Sequence, residues 1–271
     1  MNFCAIYRNN FSYLSNFLVP TITKLDRFEE FNFYFYTNDS TDGTEELLVN
    51  LSKRYNNVTT FVQQVGNKHF ENGWELERIQ GLSDARNNLL SLRPFENHEW
   101  CVFVDSNIYF HANVFDKFLQ LPKPSDGVAF SCAGVDYRFS CKMHTNCFAY
   151  YDMLAVIDAK GRQGFGIAKD PNFLWSCSFP FLDQREQAQY DLGLPVQVES
   201  AFGGMCFYKT NIINQPDIYY SANIKKWHAI HNIPIYLEHW DLHDRISKYG
   251  KIYAAPIKVY RDELHQLCKA L

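Results

Sequence analysis

Two apolar runs in this chain stop abruptly on clusters of acids and amides that could hold a polar ligand. The first is Phe33-Tyr34-Phe35-Tyr36-Thr37, followed by Asn38-Asp39-Ser40-Thr41-Asp42-Gly43-Thr44. The second is Cys101-Val102-Phe103-Val104, followed by Asp105-Ser106-Asn107. In an open α/β sheet, ligands bind in the crevice outside the carboxyl ends of the strands. Two buried strands that end in carboxylates therefore imply one shared polar site. Asn38 and Asp39 can accept hydrogen bonds from a base or a ribose hydroxyl. A strand-to-helix turn, with Asp42 as cap and Gly43 for tightness, explains the later residues of that cluster but not these two. Asp105 and Asn107, spaced i and i+2, can turn toward one hard cation. Mg²⁺ or Mn²⁺ prefers such oxygens and would bridge them to a diphosphate. Asp105-Ser106-Asn107 also reads as an ordinary strand-to-turn tripeptide.

Four other stretches carry chemistry. Glu238-His239-Trp240-Asp241-Leu242-His243-Asp244 places His239 and His243 four residues apart on one helical face, as metal-binding pairs are placed. The order does not match HExxH, so a zincin site is not indicated, and a helix N-terminus whose acids suit the dipole is the other reading. Cys141, His144 and Cys147 supply three potential zinc ligands with no obvious fourth. Gly203-Gly204 either lets backbone approach a ligand or makes a tight turn. Arg78 and Arg86 lie two turns apart on a predicted helix with Asp84 and Asn87 nearby; a solvated face is the default, and an arginine turned to the crevice would suit a phosphate.

The elements that must position these residues alternate. Strands are predicted over Asn2–Arg8, Phe31–Thr37, Val58–Val62 and Trp100–Asp105. Between them come helices over Asn10–Arg27 (with Pro20 as a possible break), Asp42–Tyr55 (with Asp42 and Glu45 at capping-box spacing) and Glu75–Leu92. That rhythm implies a parallel sheet with right-handed crossovers. After Pro122 come short strands at Gly127–Cys132, Pro195–Val198, Met205–Tyr208 and Lys251–Ala255. Gly161–Pro171 and Ser178–Leu194 read as loops, and Tyr236–Tyr249 as a last helix. The fold class is α/β: a single domain with a Rossmann-like, mostly parallel central sheet flanked by helices. Residues 1–120 form a nucleotide-binding half, and 121–271 a substrate-shaping half with a mixed sheet.

Composition narrows the partners. The 271 residues carry a formal charge of −4 and no basic stripe, which argues against nucleic acid. Aromatic residues make up 17% of the chain, enough to fill a core and still stack on bases or sugar rings. No basic leader opens the sequence, and no run approaches the roughly 20 apolar residues that a membrane helix requires. The 8 cysteines contain no CxxC pair and read as reduced thiols, which points to a cytosolic protein; a bacterial or virus-encoded enzyme would fit the expected lack of a membrane anchor.

The Thr37–Thr44 turn, Ala85-Arg86-Asn87 and the strand ending in Asp105-Ser106-Asn107 resemble the nucleotide-sugar half of GT-A fold glycosyltransferases. Further motifs are similar to fungal capsular α-1,3-mannosyltransferases: Ser131–Tyr137, Tyr151-Asp152-Met153, Asp158–Arg162, Val196-Gln197-Val198 leading to Gly203-Gly204, and Leu237-Glu238-His239 leading to Gly250–Pro256. The resemblance implies a single GT-A domain whose second half binds the acceptor. It implies transfer of a sugar from a UDP- or GDP-sugar to a glycan hydroxyl. Asn38, Asp39, Arg78, Asp84, Arg86, Asp105, Ser106, Gly203 and Gly204 would bind the nucleotide sugar. Mn²⁺ or Mg²⁺ would sit on Asp105 and Asn107, the family's DXD cluster, with His239 or His243 completing the set because Asn107 replaces the usual last Asp. Glu238-His239 stands where family 2 inverting enzymes carry a Glu-Asp pair. If the reaction inverts, Asp241, Glu199 and Asp152 are the candidate bases, in that order; if it retains, Glu199 or Asp152 would orient the sugar. The alternatives are a non-catalytic nucleotide-sugar or glycan-binding module, favoured by Asn107, and a nucleotidyltransferase. The latter needs a Gly-rich basic loop after the first strand, which Tyr7-Arg8-Asn9-Asn10 does not supply.

Overall fold

Phe3, Cys4, Phe33, Phe35, Cys101 and Val102 are all fully enclosed, so the strands that carry them read as continuous apolar runs rather than alternating ones. Strands covered on both faces by helices have this pattern, and such strands pair in parallel. The computed structural model describes residues 1–25, 28–66, 76–95, 98–140, 145–150, 152, 155–163, 184–223, 225–227 and 234–261, with backbone alone at 136–140, 145–150, 225–227 and 234–235. The zinc reading of Cys141, His144 and Cys147 lies outside the described residues and side chains, as does 164–171 of the expected Gly161–Pro171 loop.

The chain divides into two units: Met1–Ser106 with Phe207–Ile224 and Tyr236–Leu242, and Asn107–Cys206 with Lys225–Ile235 and His243–Leu271. The first unit thus takes in two later segments besides Met1–Ser106.

In the first unit, β1 (Asn2–Tyr7), β2 (Asn32–Asn38), β3 (Val58–Gln63) and β4 (Trp100–Val104) stand in the order β3-β2-β1-β4, with the strand Met205–Lys209 next to β4. All three pairings among β1–β4 are parallel. Register brings their carboxyl ends level: Tyr7 pairs with Thr37, Asn38 with Gln63 and Ala5 with Val104. The order reverses between β1 and β4, the switch point where doubly wound sheets open a crevice. Rings fill the interior; Phe3 lies 5.7 Å from Phe33, and Tyr7 5.8 Å from Phe35.

Between β1 and β2 the chain forms α1 (Phe11–Tyr13), a π-helical turn (Leu14–Leu18) and α2 (Val19–Ile22). Pro20 widens the expected helix rather than splitting it, because the turn before it has no N–H from Pro20 to bond. The next helix, α3 (Thr44–Arg54), starts after Gly43 at φ 91°, so the expected capping box is displaced. Asp42 Oδ1 accepts from Thr44 N at 3.1 Å, while Glu45 Oε1 accepts from Ser40 N at 3.0 Å rather than from Asp42. Helix α4 (Leu76–Leu90) packs on β1 and β2.

In the second unit, Gly127–Ser140, Lys251–Arg261, Val196–Ser200 and Ile157–Asp158 are neighbours in that order, the first pair parallel and the others antiparallel. Gly127–Ser140 and Lys251–Arg261 run well past their expected ends at Cys132 and Ala255. Lys251–Arg261 continues through Pro256 because the register slips there, Ala254 pairing with Ser131 and Lys258 with Ala133, so proline leaves no ladder bond unmade. Part of the expected Ser178–Leu194 loop is instead a helix, Gln184–Asp191. Its Gln, Arg, Glu and Ala residues favour helix, and the glycine that read as loop, Gly193 at φ 82°, closes it: Leu194 N donates to Gln189 O and Gly193 N to Tyr190 O. Among the described residues no helix is long and apolar enough to cross a membrane.

Candidate active site

A cavity of ≈ 270 Å³ opens in the first unit, where β1, β2 and β4 end. One wall is a face of α4. Arg78, Gly81, Leu82 and Ala85 follow the i, i+3, i+4, i+7 spacing of a single helical stripe, and all four line it. Gly81 and Ala85 carry almost no side chain, which leaves the space open. The strand ends supply the opposite wall: Ile6 and Tyr7 from β1, Arg8 and Asn10 after it, Asn38 from β2 and Ser106 after β4.

Asn10 fixes the strand-end loops. Its backbone N–H donates to Thr44 Oγ1 at 2.8 Å, its Oδ1 accepts from Arg8 N at 3.0 Å, and its Nδ2 donates to Ser106 O at 3.3 Å. Asp42 and Asn9 add stitches, accepting from Phe11 N at 2.9 Å and Thr41 N at 2.8 Å. Tyr7 is 2% exposed, and its hydroxyl has no hydrogen-bond partner among the described residues. Burial raises its pKa well above the usual phenol range, and the nearby Asp105 charge adds to this, so Tyr7 stays protonated.

Behind this wall lies a buried charge cluster. Residues Ile79, Ser83, Arg86 and Leu90 form the inward stripe of α4. The Arg86 guanidinium donates to Asp105 Oδ1 at 2.8 Å and to Glu238 Oε1, and lies 5.4 Å over the Tyr220 ring. Burial alone would disfavour the cation, but Glu238 and then Asp105 outweigh it and raise the pKa. His239 Nε2 stands 3.6 Å from Glu238 Oε1, its ring edge-on to Tyr220. Tyr220 is held in turn by Asn87, which exchanges two 2.8 Å hydrogen bonds with its backbone N and O. Arg93 Nη1 binds the carbonyls of Ile213, Gln215 and Ile218 just upstream.

The expected site residues therefore separate. Asn38, Arg78 and Ser106 line the cavity, and Asp105 adjoins it with 20% of its side chain exposed. Asp39 does not line it: at φ 49° its Oδ1 accepts from Val65 N and Gly66 N, and its Oδ2 from Asn38. Arg86 is turned inward onto two carboxylates, and Asp84 is exposed on a third side of α4. Asp241, 4% exposed, accepts from Asn223 N at 2.9 Å, which fixes the Tyr220 segment. In the second unit, His243 is fully enclosed and its Nδ1 bonds Ser200 Oγ at 2.8 Å; burial lowers its pKa to about 3. Glu199 is exposed on its strand, and Asp152 takes a left-handed φ of 64°. Gly203 and Gly204, at φ 59° and 79° with Met205 N bonded to Phe202 O, form a type I′ turn, which accounts for both glycines. Asn107 belongs to the second unit.

Sequence reasoning mentioned Tyr7, Arg8 and Asn10 only as lacking a Gly-rich loop, and Glu238 only within its helix and its pair with His239, and gave none of the four the place it takes here. The signal for the first three was present: β1 also ends in polar residues, and a central parallel strand must end at the site. Glu238, 3% exposed, gives no comparable signal, because only the tertiary fold joins it to Arg86 and Asp105.

A divalent ion fits these residues only as an open site. Among the described residues no group of three or more His, Cys, Asp or Glu side chains could enclose one. Asp105 offers one carboxylate beside the cavity. That suffices for Mg²⁺ or Mn²⁺ shared with ligand phosphates and water.

Solved structures share this architecture. TarS 1–349 of S. aureus matches at 14% identity and TM-score 0.50 over 99% of the chain. GalNAc-T7, solved with UDP, GalNAc and Mn²⁺, matches at 12% and 0.55 over 97%. The mannosyltransferase PcManGT from Pyrobaculum calidifontis, solved with GDP-Man and Mn²⁺, matches at 10% and 0.51 over 96%. The chain spans 62%, 44% and 56% of the lengths of these three. At such identities the likeness establishes the fold, which is that of the GT-A glycosyltransferases. A comparison with curated protein sequences returned no match. The sequence profile described as cryptococcal mannosyltransferase 1 matches residues 2–236, and the chain belongs to that family.

Proposed function

We propose that this chain transfers one sugar from a UDP- or GDP-sugar to a glycan hydroxyl. The observation that carries this reading is the cavity at the β1/β4 switch point, lined by Asn38, Arg8, Arg78 and Ser106 and adjoined by Asp105. Asn38 meets the base or ribose, and the small residues Gly81 and Ala85 make room for a flat ring. Asp105 would hold a divalent ion against the donor's diphosphate. Such an ion supplies Lewis-acid stabilisation of the departing nucleoside diphosphate. Arg86 and Glu238 keep the Asp105 carboxylate in place. If the transfer inverts configuration, a carboxylate must take the acceptor proton. Of the candidates Asp241, Glu199 and Asp152, the Asp241 carboxylate already holds the Asn223 amide. If the transfer retains configuration, no base is needed, and Glu199 or Asp152 orients the sugar.

The test is a thermal-shift panel of UDP- and GDP-sugars with and without Mn²⁺, followed by donor hydrolysis and transfer to glycans. Stabilisation by one donor, with turnover, supports the reading, and Asp105→Asn should remove the Mn²⁺-dependent part of the shift. No stabilisation by any nucleotide sugar sinks it. A binding module of the same fold is the second reading, favoured by Asn107 at the last DXD position; stabilisation without hydrolysis or transfer would select it.

A further inference from the structure

The side-chain amide at the end of β2 can offer the cavity either a donor or an acceptor, and its neighbours fix which. Side chains alternate along a strand, so Asn38 stands on the same face of the sheet as Tyr36. Helix α4 covers that face, and its Asn88 Nδ2 donates to the Tyr36 hydroxyl at 3.2 Å. Ile6, which pairs with Tyr36, lines the cavity together with Asn38. Asn38 is 8% exposed, and its Nδ2 donates to Asp39 Oδ2 at 2.9 Å. A carboxylate only accepts, so the NH2 end of the amide must face Asp39 and the carbonyl end must face away from it. Asp39 is itself tied. Its φ is 49°, and its Oδ1 accepts from Val65 N at 2.9 Å and Gly66 N at 3.0 Å. No hydrogen bond among the described residues occupies the Asn38 carbonyl oxygen.

We infer that the Asn38 carbonyl accepts from the ring N–H of the bound base, and that Asp39 is the positioning residue that keeps the amide this way round. This role rests on the nucleotide-sugar reading above, and it makes Asp39 act through Asn38 rather than on the ligand. Uracil carries such a proton on its ring at N3, and guanine at N1. Cytosine and adenine present a lone pair at the same ring positions. Against the Asn38 carbonyl that lone pair leaves a buried acceptor unmet. A site built to pair with a substrate N–H rejects the analogue that lacks it more strongly than an apolar pocket rejects a change of size. The carbonyl thus selects uracil or guanine over cytosine or adenine.

Isothermal titration of the full chain in Mn²⁺ with UDP, CDP, GDP and ADP reads the selection as two affinity ratios, UDP over CDP and GDP over ADP. The parent should show a ratio of about tenfold or more in at least one pair. Asn38→Ala should bring that ratio to within about threefold. Asp39→Ala frees the amide to turn its NH2 toward the base, so it should do the same. The double variant should go no further than either single one, because the two residues act as a unit. An Asp39 that only anchors the Val65–Gly66 loop would weaken all four nucleotides alike and leave the ratio unchanged. That result overturns the inference, as does a parent ratio within about threefold in both pairs, or tighter binding of CDP or ADP. Each of these leaves a nucleotide-sugar transferase standing. Absence of binding by all four diphosphates overturns both.

Discussion

Arg78 and Arg86 stand two turns apart on α4 and do opposite work. Arg78 faces a cavity without a single lining carboxylate among the described residues, whereas Arg86 is enclosed between two carboxylates and the Tyr220 ring. Two turns of an α-helix rotate the side chain by about 80° past full circles, given 3.6 residues per turn. That offset is enough to move a guanidinium from the ligand wall to the core. The helix thus has a cavity stripe, a core stripe and a solvent stripe of Glu77, Gln80 and Asp84. One guanidinium lines the cavity, and the other joins two acids of the core.

The largest effect should come from emptying the core stripe. Arg86→Ala leaves Asp105 and Glu238 as buried carboxylates without their counter-ion, which costs about 3–5 kcal/mol. Urea denaturation should read that loss. Arg86→Met combined with Glu238→Gln should recover part of it, since coupled neighbours are non-additive by about 0.5–3 kcal/mol. A single-variant loss below about 1 kcal/mol would mean that the cluster does not position Asp105.

His243 offers the contrasting way to bury a titratable group, by excluding charge rather than pairing it. Its folded pKa of about 3 lies below the unfolded value of about 6.5, so the unfolded chain binds the proton first. The stability it contributes is complete above pH 6.5 and drains as the pH falls toward 3, at up to about 1.4 kcal/mol per pH unit. Denaturation followed from pH 7 to pH 5 should show this slope in the parent, reduced by about one proton in His243→Gln. Equal slopes would show that other groups carry the acid sensitivity.

Much of this division was legible in the sequence, and the missing part has a physical cause. Continuous apolar runs marked β2 and β4, strand-forming residues marked β1, and a cavity opens where these strands end. Asp105 and Asn38 were legible because strand-end position alone places them. Asp39, one residue further, was not, because its left-handed φ turns the carboxylate to Val65 and Gly66. Arg86 was singled out beside Arg78 for a phosphate, but local spacing cannot show that Glu238, 152 positions away, will reach it. His239 and His243 share a helical face by spacing, yet His243 meets Ser200 and His239 meets Tyr220. Periodicity gives the stripe, and only the neighbours say what the stripe touches.

On the cavity stripe, Ala85→Leu should fill space the ligand needs while leaving the helix intact, because leucine is a strong helix former. Diphosphate binding should weaken about tenfold or more, equivalent to about 1.4 kcal/mol, with stability changed by less. An affinity within twofold of the parent would place the ligand elsewhere.

The smallest effect belongs to the solvent stripe. Asp84 sits between Ser83 on the core stripe and Ala85 on the cavity stripe, so it is adjacent in sequence to both yet exposed. Its charge reaches Tyr36, where it is the weakest of the causes acting on that phenol and acts to raise its pKa. Asp84→Asn keeps the shape and removes the charge. Stability should move by no more than about 0.5 kcal/mol, as for other surface substitutions, and nucleotide affinity by less than twofold. If affinity instead rises severalfold at low salt and returns to the parent value at high salt, Asp84 acts on the anion through the field of the cavity wall. The boundary between the cavity and solvent stripes would then have to be drawn by charge rather than by contact, and Arg78 would share its task with a carboxylate that opposes it.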